Sequence, residues 1–190
     1  MALNVSVNPL TPTAVLTINQ TPAQMTSINA AASAGVTQSN RTGTTAADYT
    51  GGLGADTFIM NNSSDKIAGG GGTNDTLNIS FGAVLGGISI DLAGTGEQIS
   101  AMDGGALPGS VTGFENVNLS GFTGFGAVVN AVKTGSTIVG TGSNDRLTGG
   151  AGADIITGGV GVDVMVGGAG NDIFNIAGTA VAVTGNAAID

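Results

Sequence analysis

GTGSNDRLT, GGAGADIIT, GGVGVDVMV and GGAGNDIFN run back to back over residues 140–175. Each nonapeptide has glycines in its first half, an aspartate at its sixth place and a large apolar residue at its eighth. The aspartates are Asp145, Asp154, Asp163 and Asp172; the apolar residues are Leu147, Ile156, Met165 and Phe174. Three copies fit G-G-x-G-x-D-x-U-x at every place, and the first departs only at Thr141 and Ser143. A flexible glycine-rich linker would not carry a large apolar residue every ninth place with an aspartate two before it.

The glycine half of each copy makes a tight turn, and the x-U-x half alternates out–in–out as a brief strand does. Two nonapeptides close one coil: turn, strand, turn, strand. Coils then stack as a solenoid in which each rung packs on its neighbours. The eighth-place residues point inward, while Ile155, Val162, Val164, Val166 and Ile173 fall on outward places. The aspartates lie on the turns, Asp145 one coil below Asp163 and Asp154 one coil below Asp172. Two such carboxylates ~4 Å apart repel by about 4 kcal/mol at an effective dielectric of about 20. A hard divalent cation removes that repulsion. Calcium accepts carboxylates and turn carbonyls in loose geometry, whereas magnesium wants a strict octahedron. Zinc wants Cys or His, and the chain has neither. Calcium is therefore the expected folding cofactor, its binding free energy becoming folding free energy.

A second, weaker block precedes this one. Residues 51–59 read GGLGADTFI, a full match with Asp56 and Phe58. Residues 60–68, MNNSSDKIA, keep Asp65 and Ile67 but have no glycine, so Asn61 and Asn62 are expected at the left-handed turn positions. After an intruding Gly69, residues 70–78 read GGGTNDTLN with Asp75 and Leu77. Gly69 puts Asp56 and Asp75 nineteen residues apart, an excess that a turn bulge can absorb. Seven of the thirteen acidic residues thus occupy the sixth place of a repeat. Asp48 is off frame and reads as a surface carboxylate.

Residues 140–175 resemble the repeats-in-toxin (RTX) proteins of Gram-negative bacteria. The resemblance implies a right-handed parallel β-roll with calcium between the turns, and export by a type I secretion system. The family's ligands carry over to Asp145, Asp154, Asp163 and Asp172, with turn backbone at Gly149, Gly150, Gly152, Gly158, Gly159, Gly161, Gly167, Gly168 and Gly170. In the earlier block they carry over to Asp56, Asp65 and Asp75, with Gly51 and Gly54. GFENVNLSG, at 113–121, is similar to a strand segment of large bacterial surface-layer and RTX proteins. The resemblance is thus closest to the surface-layer type.

The expected fold is all-β: a β-solenoid whose calcium-binding turns are nonapeptides. Residues 1–40 read as a lead segment with a strand at Ala14–Asn19. A short capping helix is expected from Thr21, with Pro22 in its first turn, to a stop at Gly35. Residues 41–78 form the first repeat block, 79–139 solenoid rungs without a clear calcium motif, 140–178 the second block and 179–190 a final strand. GNAAID ends as if mid-segment, as in the N-terminal part of a longer chain or a strand completed by a neighbour.

Composition narrows the function. Gly is 35 of 190 residues and the formal net charge is −9. The basic residues are only Arg41, Lys66, Lys133 and Arg146, so a nucleic-acid partner is not expected. No apolar run reaches the length of a membrane helix. The N-terminus reads as no cleaved secretory signal, which with calcium turns of modest affinity points to signal-independent export. Absence of Cys excludes disulfide stapling. Without His, Cys, a GxSxG elbow or a phosphate-binding loop, catalysis is not expected. Asp91, Glu97, Asp103 and Glu115 read as solvated loop or strand-end carboxylates.

The expected function is a secreted, calcium-dependent structural protein, extracellular or on a Gram-negative-type cell surface. Its exposed apolar strips, and ends without a clear polar cap, favour self-assembly into a layer, filament or matrix. A cell-surface polysaccharide is a candidate anchor. The alternative is a non-catalytic calcium-folding module of a larger toxin, adhesin or exoenzyme.

Overall fold

A strand of three or four residues with an apolar centre is the unit of the fold. The computed structural model describes residues 3–6, 15–19, 25–29, 35–40, 46–80, 86–102, 109–131, 134–177, 182–184 and 187–189. In chain order the strands are β1 (Leu3–Ser6), β2 (Val15–Asn19), β3 (Met25–Asn29), β4 (Gly35–Asn40), β5 (Asp48–Thr50), β6 (Thr57–Met60) and β7 (Lys66–Ala68). Next come β8 (Thr76–Ile79), β9 (Ile88–Asp91), β10 (Ile99–Met102), β11 (Ser110–Thr112), β12 (Asn116–Asn118), β13 (Ala127–Asn130) and β14 (Thr137–Val139). The repeats of the second block supply β15 (Arg146–Thr148), β16 (Ile155–Thr157), β17 (Val164–Val166) and β18 (Asp172–Asn175), followed by β19 (Ala182–Thr184) and β20 (Ala187–Ile189).

Alternate strands share a wall. One nine-stranded sheet, β2-β4-β6-β8-β12-β14-β16-β18-β20, runs the length of the roll. The opposite wall is a five-stranded sheet, β1-β3-β5-β7-β11, succeeded by a six-stranded one, β10-β9-β13-β15-β17-β19. Among the described residues all pairings are parallel except β9 with β10. This is the all-β parallel roll that the repeat spacing predicts.

The core is a stack one or two side chains deep. On the long sheet Phe58, Leu77, Val117, Ile138, Ile156 and Phe174 stand in register, all buried. Across from them Ile90, Val129, Leu147 and Met165 do the same. Each such burial contributes about 1.5–3 kcal/mol. Tyr49 stacks on Phe58 at 5.8 Å across the walls, and Phe114 meets Phe58 edge-on at 6.4 Å. The buried Gln38 accepts the Ile59 N–H (2.9 Å) and donates to the Tyr49 hydroxyl (3.1 Å). Outward, Ile155 and Ile173 are exposed as expected, while Val164 and Val166 are half-buried.

Two expectations are corrected. The helix expected from Thr21 to Gly35 is contradicted where the chain is described: Met25–Asn29 is β3, paired with β1 and β5, and Gly35 opens β4. Thr21–Gln24, the expected cap, lies outside the described residues. Met-Thr-Ser-Ile-Asn does not alternate, but it holds β-branched Thr26 and Ile28. Propensity differences of about 0.7 kcal/mol per residue yield to the hydrogen bonds offered by the edge of β5. The second correction is at β9 and β10, which form an antiparallel hairpin rather than a rung. The chain then returns to lay β11 on β7, β12 on β8 and β13 on β9.

Glu97 and Gln98 seal the seam between the two short walls. Gln98 N–H donates to Val111 O (2.7 Å), and the Glu97 carboxylate accepts the Val111 N–H (2.9 Å). The buried Gln98 amide donates to Leu92 O (3.1 Å) and Phe114 O (2.8 Å) and accepts the Phe114 N–H (2.9 Å). Glu97 is exposed beside β10 and caps a strand edge, the strand-end carboxylate expected.

Candidate metal sites at the stacked turns

Each repeat aspartate stands at the base of a turn, where the chain enters a strand. Its carboxylate folds back under that turn. Asp154 shows the pattern: one oxygen accepts the Gly150 N–H of its own turn (2.7 Å), the other the Ser136 N–H of the coil before (2.6 Å). Asp145 accepts from Thr141 N–H (2.7 Å), Thr141 hydroxyl (2.8 Å) and Ala127 N–H (2.6 Å). Asp163 takes the Asp145 N–H and Asp172 the Asp154 N–H, each at 3.0 Å. The aspartates of successive coils are thus linked, Asp145 to Asp163 and Asp154 to Asp172.

The first block repeats the arrangement. Asp56 accepts from Gly52 N–H (2.7 Å) and Val36 N–H, and Asp75 accepts the Asp56 N–H (2.8 Å). Asp65 takes Ala47 N–H (2.8 Å), Asn61 N–H (3.3 Å) and Asn62 N–H (3.1 Å). The residue added by Gly69 is taken up in the turn, since β6 and β8 pair without interruption from Thr57↔Thr76 to Met60↔Ile79. Asn61 and Asn62 do not adopt the left-handed conformation expected of them. Among the described residues Asn74, at φ 72°, is the non-glycine that does. Asp48 is exposed on β5.

The same ladder reaches Glu115, which accepts the Asp75 N–H at 2.9 Å. Asp56, Asp75, Glu115, Ser136, Asp154 and Asp172 thus occupy equivalent places along the long sheet, with Ser136 standing where an acid would. Glu115 is half-buried just before β12, a strand-end carboxylate as expected, but its place in the ladder was not foreseen. The signal was present in Glu115-Asn116-Val117-Asn118, which keeps acid-x-U-x after a shortened turn.

Glycine is required where turns touch. Gly159 (φ +98°) and Gly161 (φ +134°) sit over the carbonyls of Thr141 and Ser143, and a Cβ on Gly161 would lie 2.6 Å from Ser143 O. Gly168 and Gly170 stand likewise over Gly150 and Gly152. Carbonyl oxygens of one turn are therefore packed against the next beside the carboxylates.

All seven aspartates are at most 4 % exposed. Of the basic side chains, Lys66 and Arg146 are exposed, and Arg41 and Lys133 lie outside the described residues. Burial raises the Asp56, Asp145 and Asp154 carboxyls above their ordinary range, against the lowering effect of their N–H donors. Asp75 is pushed up to about 7, by burial first and then by the charges of Glu115 and Asp56. Amide donors alone leave the buried charge incompletely compensated. Asp172 Oδ2 is buried with no hydrogen-bond partner.

These features fit a hard cation. The donors are carboxylate and carbonyl oxygens, the set calcium takes. Among the described residues no three acidic side chains converge, so carbonyls must supply much of any coordination.

Residues 139–174 match the family model of the RTX calcium-binding nonapeptide repeat, in four copies. No curated protein and no solved structure matches the chain. The matched segment is the second block; the first block shares its hydrogen-bond geometry without sharing the match.

Proposed function

We propose that calcium binds between the stacked turns, held by Asp145, Asp154, Asp163 and Asp172 with their turn carbonyls, and by Asp56, Asp65 and Asp75 in the first block. Bound calcium supplies the positive charge that the buried carboxylates lack. The chain's own residues do the rest: the turns orient the oxygens, and the core stack fixes turn spacing. The observation that carries this reading is Asp172 Oδ2, a buried carboxylate oxygen without a hydrogen-bond partner inside the matched segment.

In this reading the protein is a non-catalytic structural element. It folds outside the cell, where calcium is abundant, after export by a type I route. It then self-associates at the surface of a Gram-negative-type bacterium, anchored through a surface polysaccharide. Ile155 and Ile173, register neighbours on the long sheet, are 41 % and 37 % exposed and support self-association. Sedimentation of the chain in EGTA and in millimolar calcium, with far-ultraviolet circular dichroism on the same samples, is the test. Coil turning to β with large assemblies is the expected result. A calcium-folded monomer would instead mark a folding module of a larger secreted protein, and a spectrum indifferent to calcium would overturn the reading.

A further inference from the structure

One rung has too short a turn. Between β11 and β12 lie only three residues, 113–115, against seven between β7 and β8 and six between β13 and β14. Gly113, at φ +74°, makes this tight turn. The wall of stacked turns is therefore notched at this rung, between Asn74 and the segment Thr134–Ser136. A cavity of about 180 Å³ occupies the notch, lined by Asn74, Asn116, Thr134, Ser136 and Thr137 among others. It adjoins a groove of about 370 Å³ on the outer face of the long sheet, which shares Asn74, Asn116 and Thr137 and adds Thr76, Asn78 and Asn118.

The lining combines polar side chains with the apolar Val117, Val139, Ala153 and Ile155. Among the described residues no charged side chain lines the cavity or the groove. Amides and hydroxyls, each both donor and acceptor, do. Ser136 is only 4 % exposed, and its Oγ has no hydrogen-bond partner. A buried hydroxyl without a partner costs free energy that a ligand hydroxyl in the notch would recover. In-register pairing sets Asn78 beside Asn118, and Thr76, Asn116 and Thr137 in a second row. Rows in a sheet repeat at about 4.8 Å, a spacing that a polymer of hydroxylated units can follow. The sequence neighbours of the lining carry both signs, Asp75 and Glu115 beside Asn74 and Asn116 and Lys133 beside Thr134, so they select for neither sign of charge on the ligand.

We propose that the notch and groove bind a neutral glycan chain, with Ser136, Asn74, Asn78 and Asn118 supplying the hydrogen bonds. This deepens the surface-anchoring reading above by naming its site and ligand class.

The test uses the full calcium-loaded chain. It is titrated calorimetrically with neutral oligosaccharides of glucose and of N-acetylglucosamine, and with an oligogalacturonate as the acidic counterpart. At least one neutral oligosaccharide binds, and the acidic one does not. Ser136→Ala removes a hydroxyl that has no protein partner. Asn74→Gly removes an amide while keeping the left-handed turn. Both variants keep the parent's circular dichroism and lose affinity by about tenfold. The proposal is overturned if no neutral oligosaccharide binds, if the acidic one binds equally well, or if both variants bind like the parent. Sedimentation of the same samples reads assembly separately, so loss of self-association with retained glycan binding contradicts the assembly reading alone.

Discussion

A carboxylate folded under a turn and held by amide donors is comfortable in two states, protonated or bound to a cation. Asp56, Asp145 and Asp154 are raised above 3.8, and Asp75 reaches about 7. Without calcium, the folded chain binds more protons than the unfolded one between those values. The stability Asp75 contributes is therefore fully present below 3.8 and lost as pH rises through about 7, and Asp56, Asp145 and Asp154 act in the same direction. Thermal melts in EGTA should show a more stable roll at about pH 5 than at about pH 8, and added calcium should stabilise more at the higher pH. An EGTA melt that improves toward alkaline pH would contradict this. Asp172→Asn separates ligand from scaffold. The Asp154 N–H keeps its acceptor at Oδ1, and the new amide takes the place of the unpartnered oxygen. Calcium titration should show affinity at that site falling by about tenfold or more, while apo stability changes by less than about 1 kcal/mol. At this scale the sequence was informative wherever an acid preceded x-U-x in frame. Glu115 escaped because the shortened turn removed the glycines that announce the frame.

Turns and strands stack by contact between backbones, and the two alanine substitutions that test this lie in one block. Gly161→Ala meets both a left-handed φ of +134° and the Ser143 carbonyl, and should destabilise by about 1–3 kcal/mol in urea unfolding. Gly142→Ala meets nothing within 4 Å and should stay within about 0.5 kcal/mol of the parent. Equal effects would mean that the turns do not pack as described. Periodicity made the four strands β15–β18 legible, because Leu147, Ile156, Met165 and Phe174 mark them directly. It failed for Met25–Asn29, where Pro22 and Gln24 signalled a helix locally but the neighbouring strands decided the outcome. The left-handed residue was misplaced for a related reason. Asn61 and Asn62 sit in a turn closed by Asp65 and an Asn62 side-chain bond to Ser64 N–H (2.8 Å), so no left-handed residue is needed there. The longer Gly69–Asp75 turn needs one at Asn74.

Over the whole molecule, one nine-stranded sheet joins both repeat blocks, so a cation bound at either block would act on a single structure. The sequence did not reveal that the opposite wall changes sheets, because the seam depends on Glu97 and Gln98 meeting Val111 and Phe114 from a distance. Self-association belongs to this scale too. Replacing Ile155 and Ile173 together by Thr should abolish large assemblies in sedimentation while leaving calcium-induced folding intact, since both side chains face outward. Assemblies that persist unchanged would place the interface elsewhere. The central claim, that calcium completes the buried carboxylate ladder and so folds the roll, is tested most directly by urea unfolding across a calcium series at neutral pH. Unfolding free energy should rise steadily with the logarithm of free calcium, the slope counting the ions taken up by the folded chain. A free energy that stays flat from EGTA to millimolar calcium would contradict the account.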